Sequence, residues 1–109
     1  MRIQTSPDSH KQSEMLRLLQ KGTVMLFIDS RHKGVSVPEN LKNDFQLRLN
    51  YDYSYQIADF QVFGDRVEAS LSFNHRNYFC VVPFEAVYLM VSHTSQHAVL
   101  FLHSVPVEM

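Results

Sequence analysis

Apolar residues recur along this chain in two rhythms. Between Ser9 and Lys21, Met15, Leu16, Leu18 and Leu19 fall on one side of a helix, and Lys11, Glu14, Arg17 and Lys21 fall mostly on the other. The stripe predicts a helix over residues 9–21. Ser9 is placed to cap it, with Gln12 three residues on as reciprocal partner. Gly22 follows the last turn, where a left-handed residue often ends a helix. Residues 1–8 read as a flexible lead-in. The striped face fits packing on the chain's own sheet and packing on a second subunit equally well.

From residue 23 the rhythm shortens. Thr23 to Asp29 is a continuous apolar run whose length and β-branched content predict a strand buried on both faces. Phe45 to Leu49 alternates apolar and polar, as does the longer run from Arg66 to Phe73. In the latter, Val67, Ala69, Leu71 and Phe73 point one way, and Arg66, Glu68, Ser70 and Ser72 the other. Further strands are predicted at Ile57–Phe63, Tyr78–Val82 and Ala98–His103. Gly64-Asp65 marks one tight turn, and Asn74-His75 or His75-Arg76 another. The segment after Pro83 reads as a short helical turn to Ala86, then a strand. Tyr51, Tyr53 and Tyr55 are spaced by two, which puts three phenols on one side of an extended segment. That suits a binding surface and a half-buried strand end alike.

The sum is one helix followed by six or seven short strands with short connections. The fold class is mainly β, an N-terminal helix before an antiparallel meander. A small, strongly bent barrel over residues 23–103 is the natural closure at this size. Residues 9–103 form a single domain, and residues 104–109 a short C-terminal tail.

The meander is organised around Arg31 to Asn50. The chain leaves an apolar strand, turns at Gly34, stays extended through Val35-Ser36-Val37 and enters Pro38, which biases Val37 towards an extended conformation. A polar loop follows, then a second strand. Strand, extended lip and strand together form the wall of a groove.

Composition narrows the function without naming it. A hydrophobic fraction of 45% with 12% aromatics excludes whole-chain disorder. Lys plus Arg number 10 against 11 for Asp plus Glu, a net charge of -1, which opposes general binding to phosphate backbones. Arg31, His32 and Lys33 form a small basic cluster. The lone Cys80 lies in an apolar strand and reads as a buried, inert thiol. No apolar run of about 18 residues and no signal-peptide pattern is present, so a cytoplasmic, membrane-free protein is expected.

The search for chemistry finds little. His93 and His97 are four apart, a metal-binding spacing on a helix, but they sit in a Ser/Thr/Gln-rich turn with no carboxylate or Cys beside them. Asp29, Ser30 and His32 are too close in sequence for triad geometry, and there is no nucleophile elbow. Three glycines make no phosphate loop. No enzyme, metal or cofactor is expected.

The ordered motifs carry a family resemblance. Leu26-Phe-Ile-Asp29 with Gly34-Val-Ser-Val-Pro38, then Asp44-Phe-Gln-Leu-Arg-Leu-Asn50, Phe60-Gln-Val, Asp65-Arg-Val-Glu-Ala-Ser-Leu-Ser-Phe73 and Cys80-Val-Val-Pro-Phe-Glu-Ala-Val-Tyr88 follow one another as in the stringent starvation protein B (SspB) family. That family supplies adaptors of the ClpXP protease. The resemblance implies an Sm-like or SH3-like barrel behind a helix, and a homodimer through that helix, here Met15, Leu16, Leu18 and Leu19. It implies a groove for an extended peptide, the ssrA degradation tag or a similar unstructured segment, and delivery to the ClpX unfoldase. Val35 and Val37 on the lip, with Leu71 and Phe73 on the hairpin strand, are the expected groove residues; each fits barrel core equally well.

Two departures are visible. The family's long acidic tail with its ClpX-docking motif has no match in the residues up to Met109. Asn74-His75 stands where the family has a glycine-rich turn, and Leu71 where a smaller residue is common, so a bulkier wall narrows the groove. Two rival readings stand beside the adaptor: an Sm-like barrel that binds RNA, opposed by the charge balance, and a structural homodimer without a groove.

Overall fold

The structure, a computed structural model, describes residues 2–109. Its first element is a strand, β1 (Arg2–Thr5), where the sequence predicts a flexible lead-in. All its side chains are exposed, so it leaves no hydrophobic signature; the backbone ladder holds it, with one side-chain bond between Gln4 and His97. It pairs in parallel with a C-terminal strand, Arg2 opposite His97 and Thr5 opposite Leu100, a departure from the all-antiparallel expectation.

Helix α1 (Lys11–Leu19) follows a 3₁₀ turn at Asp8–His10. Ser9 does not cap it. That residue lies inside the turn, and the chain enters the helix through the His10 N–H donating to Pro7 O at 3.0 Å. Met15, Leu18 and Leu19 are buried in the chain's own core, while Leu16 is exposed. Gly22 takes φ +127°, a conformation that side chains resist, and lets the chain reverse into the sheet.

The strands are β2 (Val24–Ile28), β3 (Leu47–Tyr51), β4 (Gln61–Val62), β5 (Arg66–Phe73), β6 (Arg76–Pro83), β7 (Val87–Ser92) and β8 (His97–Leu100). They form two sheets, β1-β8-β7-β2-β3 and β4-β5-β6. In the larger sheet β2 is an interior strand, between β3 and β7, and Val24, Leu26 and Ile28 are fully buried while Met25 and Phe27 are half-buried. The alternation in β5 holds: Val67, Ala69 and Leu71 face the core, and Ser72 faces solvent. The turn after Pro83 is a 3₁₀ turn at Phe84–Ala86 running into β7, as the sequence predicts.

The mainly β class with an N-terminal helix is correct; the closed barrel is not. Among the described residues, one isolated bridge, Ser36 to Val81, joins β6 to the chain leaving β2. No strand pairing joins β3 to the smaller sheet. The cause is local. Between β3 and β4 the chain folds into a 3₁₀ turn at Tyr53–Tyr55, capped by the Asp52 carboxylate accepting from the Ser54 N–H at 2.9 Å, and Gln56 takes a left-handed φ of 56°. The tyrosine series is therefore not extended: Tyr51 is buried, and Tyr53 and Tyr55 are half exposed. The strand predicted at Ile57–Phe63 shrinks to β4.

The β5–β6 hairpin turns on Asn74 and His75, both with positive φ, 51° and 68°. That is the geometry of a tight two-residue turn whose twist matches the strands. Only the Asn is well suited to it. His75→Gly is expected to stabilise the fold by about 0.5–1 kcal/mol, read as a higher urea midpoint at unchanged slope.

Candidate functional site

Two adjoining depressions lie where the sheets part, and they share Phe73 and Asn77. The first, about 750 Å³, is bounded by Arg48, Leu49 and Asn50 of β3 and by Ser70 to Phe73 of β5. The turn from Tyr55 to Asp59 closes one end. The second, about 840 Å³, lies between the Pro38–Leu41 turn and Arg76 to Tyr78 at the start of β6.

Each wall has a local cause. Gly34, at φ +92°, turns the chain towards β6; a Cβ there would lie 3.1 Å from the Pro83 ring. Ser36 then exchanges two backbone bonds with Val81, at 2.8 and 3.0 Å. Pro38 has no N–H to extend that pairing, and the chain curls away through Glu39–Leu41. The space left beside β6 is the second depression.

Of the four groove residues read from the sequence, Leu71 and Phe73 line these depressions. Leu71 is 8% exposed and Phe73 half-buried against the core. Val37 is fully buried in the core, and Val35 packs against it from the surface. The lip that faces the depression starts one residue later, at Pro38. Arg48, Ile57, Asp59, Arg76 and Tyr78 also line the site and carried no signal in the sequence pattern, because the chain brings them together from β3, β6 and an irregular turn.

Asp59 fastens the closing turn to β5. Its carboxylate accepts from the Ser70 N–H at 2.8 Å and from the Ser70 hydroxyl at 2.5 Å. Those bonds to Ser70 hold its pKa below the usual 3.8. A group with a depressed folded pKa contributes stability that is present above 3.8 and lost as pH falls through the folded value. An NMR titration of the Asp59 carboxyl is therefore expected to show a midpoint below 3.8, and Ser70→Ala to move it back up.

Charge is sparse around the site. Among the described residues no ion pair engages Arg48 or Arg76; Arg48 lies 5.9 Å from the Phe27 ring. The basic cluster seen in the sequence lies elsewhere, and its arginine is paired. Arg31 is held by Asp29 at 2.9 Å and Glu108 at 2.6 Å and sits over the Phe45 ring, and His32 lies 3.5 Å from Glu85.

Among the described residues no group of three or more His, Cys, Asp or Glu is arranged to hold a metal ion. His97 pairs with the Gln4 side chain at 2.9 Å instead of with His93. Cys80 is buried, and burial pushes its thiol up to about 11, so it carries almost no thiolate at neutral pH. No helix among the described residues is long and apolar enough to cross a membrane.

No curated protein matches this chain. A family model described as Stringent starvation protein B, SspB, matches residues 13–108. The match runs from within α1 to the C-terminal residues, across β2 to β8 and every groove residue named above, and the chain belongs to the SspB family.

Proposed function

We propose that this chain is a non-enzymatic adaptor that holds an extended peptide in the trough between its sheets and presents the peptide's owner to ClpXP. The observation that carries the reading is the trough itself: an open channel with strand edges on its sides and Leu71 and Phe73 on its wall, in a chain of the SspB family. Strand edges supply backbone donors and acceptors that any extended segment can use, and apolar wall residues select among side chains. Family membership supports a degradation tag of the ssrA kind as the peptide and ClpX as the receiving unfoldase. Tethering a tagged substrate near the unfoldase pore raises its local concentration, so modest affinity suffices. A cytoplasmic setting goes with that role.

Homodimerisation belongs to the same proposal, with α1 as its candidate surface. Met15, Leu18 and Leu19 already serve the chain's own core, so Leu16 and the polar face of α1 are what a second copy would meet. The RNA reading is weakened by the net charge of -1 and by the pairing of Arg31 with Asp29 and Glu108.

The test is fluorescence anisotropy of a labelled ssrA-tag peptide, with a scrambled peptide alongside. Saturable binding of the tag alone is the expected result. Equal binding of both peptides, or of neither, would overturn tag recognition.

A further inference from the structure

Strand β6 has an unused edge. Its hairpin with β5 closes at Phe73 opposite Arg76 across a two-residue turn. In such a hairpin the closing pair exchanges both backbone bonds, and exchange recurs at every second residue. Arg76, Tyr78, Cys80 and Val82 therefore spend their N–H and C=O groups on β5. Asn77, Phe79 and Val81 direct theirs to the opposite side. The structure confirms the phase independently, because Val81 both donates to and accepts from Ser36 on that side.

Beyond Val81 the edge is empty. Pro38 stops the Ser36 segment from continuing the ladder, and the Pro38–Leu41 turn stands off across the second depression. Among the described residues no backbone partner engages Asn77 or Phe79 on this edge. Arg76 through Phe79 are exposed, and an exposed edge of this kind is a template for another strand.

We infer that an extended, acidic peptide adds to this edge as a strand, pairing its backbone with Phe79 and Asn77 and placing a carboxylate near Arg76. The inference rests on the peptide-binding reading above and specifies its mode. Three features select the occupant. Space of about 840 Å³ lies directly against the edge. Arg76 lines that space without an ion pair, whereas the one acidic side chain there, Glu39, is matched by Lys42 at 3.1 Å. Phe73 connects the space to the first depression, where Arg48 is likewise free of an ion pair, so a longer peptide runs from one cation to the other.

The pairing makes a prediction that wall contacts alone do not. A peptide held as an edge strand uses every second one of its amides. A set of labelled ssrA-tag peptides, each N-methylated at one backbone nitrogen, is titrated against the protein. Affinity is expected to fall at least tenfold at alternate positions across the bound stretch and to stay within about twofold at the positions between.

On the protein side, Phe79→Pro and Asn77→Pro remove outward N–H groups that the hairpin does not use, and proline is tolerated at such edge positions. Both variants are expected to keep a native circular dichroism spectrum and lose at least tenfold in affinity, with Phe79→Ala separating the side chain from the amide. Arg76→Gln is expected to weaken binding at low salt and much less at high salt.

Uniform tolerance of N-methylation, or full affinity in both proline variants, would overturn strand addition while leaving tag recognition in place. Failure of the unmodified tag to bind the unsubstituted protein would overturn the tag reading and this placement with it.

Discussion

Phe73→Ala is expected to weaken binding of the ssrA-tag peptide at least tenfold, and by as much as a hundredfold, in the anisotropy titration. Phe73 is the apolar side chain common to both depressions. Removing its ring takes the wall from the middle of the trough, where a bound peptide is best shielded from water. Centrally placed aromatic anchors are where truncation costs most, commonly about 2 kcal/mol or more. The ring is only half-buried, so the fold is expected to lose no more than about 1–2 kcal/mol.

Val37→Ala supplies the contrast. Val37 is fully buried and touches neither depression, so it is expected to cost about 1–3 kcal/mol of stability and little affinity. Intact binding by Phe73→Ala alongside weakened binding by Val37→Ala would reverse the assignment. The peptide would then run along the Val35–Val37 lip.

The contrast shows what the residue pattern encodes and what it omits. Alternation in β5 correctly set Leu71 and Phe73 on one face, because period two is a local property of a strand. It does not report where that face ends. Val37 and Phe73 carry similar apolar signals, yet one lies under the sheet and the other at its open margin. The difference comes from Pro38 ending the Ser36–Val81 bridge, a contact across 45 positions of sequence. Turn chemistry was legible where the residue itself decides the geometry, as at Asn74-His75 and at Phe84–Ala86 after Pro83.

Barrel closure was not legible for the same reason that Asp59 was not. Both depend on how the chain from Tyr53 to Phe60 folds back, and that segment is set by Asp52 capping Ser54 and by Asp59 accepting from Ser70. The strand β1 was missed because its ladder is made by the backbone, and exposed side chains leave no pattern to read. Helix α1 shows a subtler failure. Of its apolar stripe Met15, Leu18 and Leu19 are buried but Leu16 is exposed, and Lys11, which the pattern sets among the solvent-facing cations, is buried.

Lys11→Ala is expected to lower stability by about 2–4 kcal/mol, more than any other charge removal in this chain. Lys11 is 3% exposed. Its ammonium donates to Phe84 O at 2.8 Å and to the Ser104 hydroxyl at 2.7 Å, and lies 5.5 Å over the Phe101 ring. One side chain thus ties the first turn of α1 to the β6–β7 turn and to the residues after β8. Alanine leaves the Phe84 carbonyl without this donor and removes the packed methylene stem as well. Lys11→Met keeps the stem and is expected to cost less. For a domain of this length each kcal/mol moves the melting temperature by roughly 4–8 °C, so the alanine variant melts well below the parent.

The pH dependence separates the charge from the packing. Burial lowers the Lys11 pKa below 10.5, with Asp8, whose carboxylate lies 3.8 Å away, and Glu85 opposing the shift. Below 10.5 the unfolded chain holds this proton more firmly than the folded one, so the Lys11 contribution to stability rises as pH climbs towards 10.5. Ionisation of Cys80, Tyr51 and Tyr88 acts in the opposite direction over the same range but is common to both proteins. The gap in unfolding free energy between parent and Lys11→Met is therefore expected to shift towards the parent from pH 7 to pH 10 in urea titrations. A gap that stays constant would mean that the ammonium is as well solvated in the fold as in water, and that Lys11 stabilises this chain through its stem.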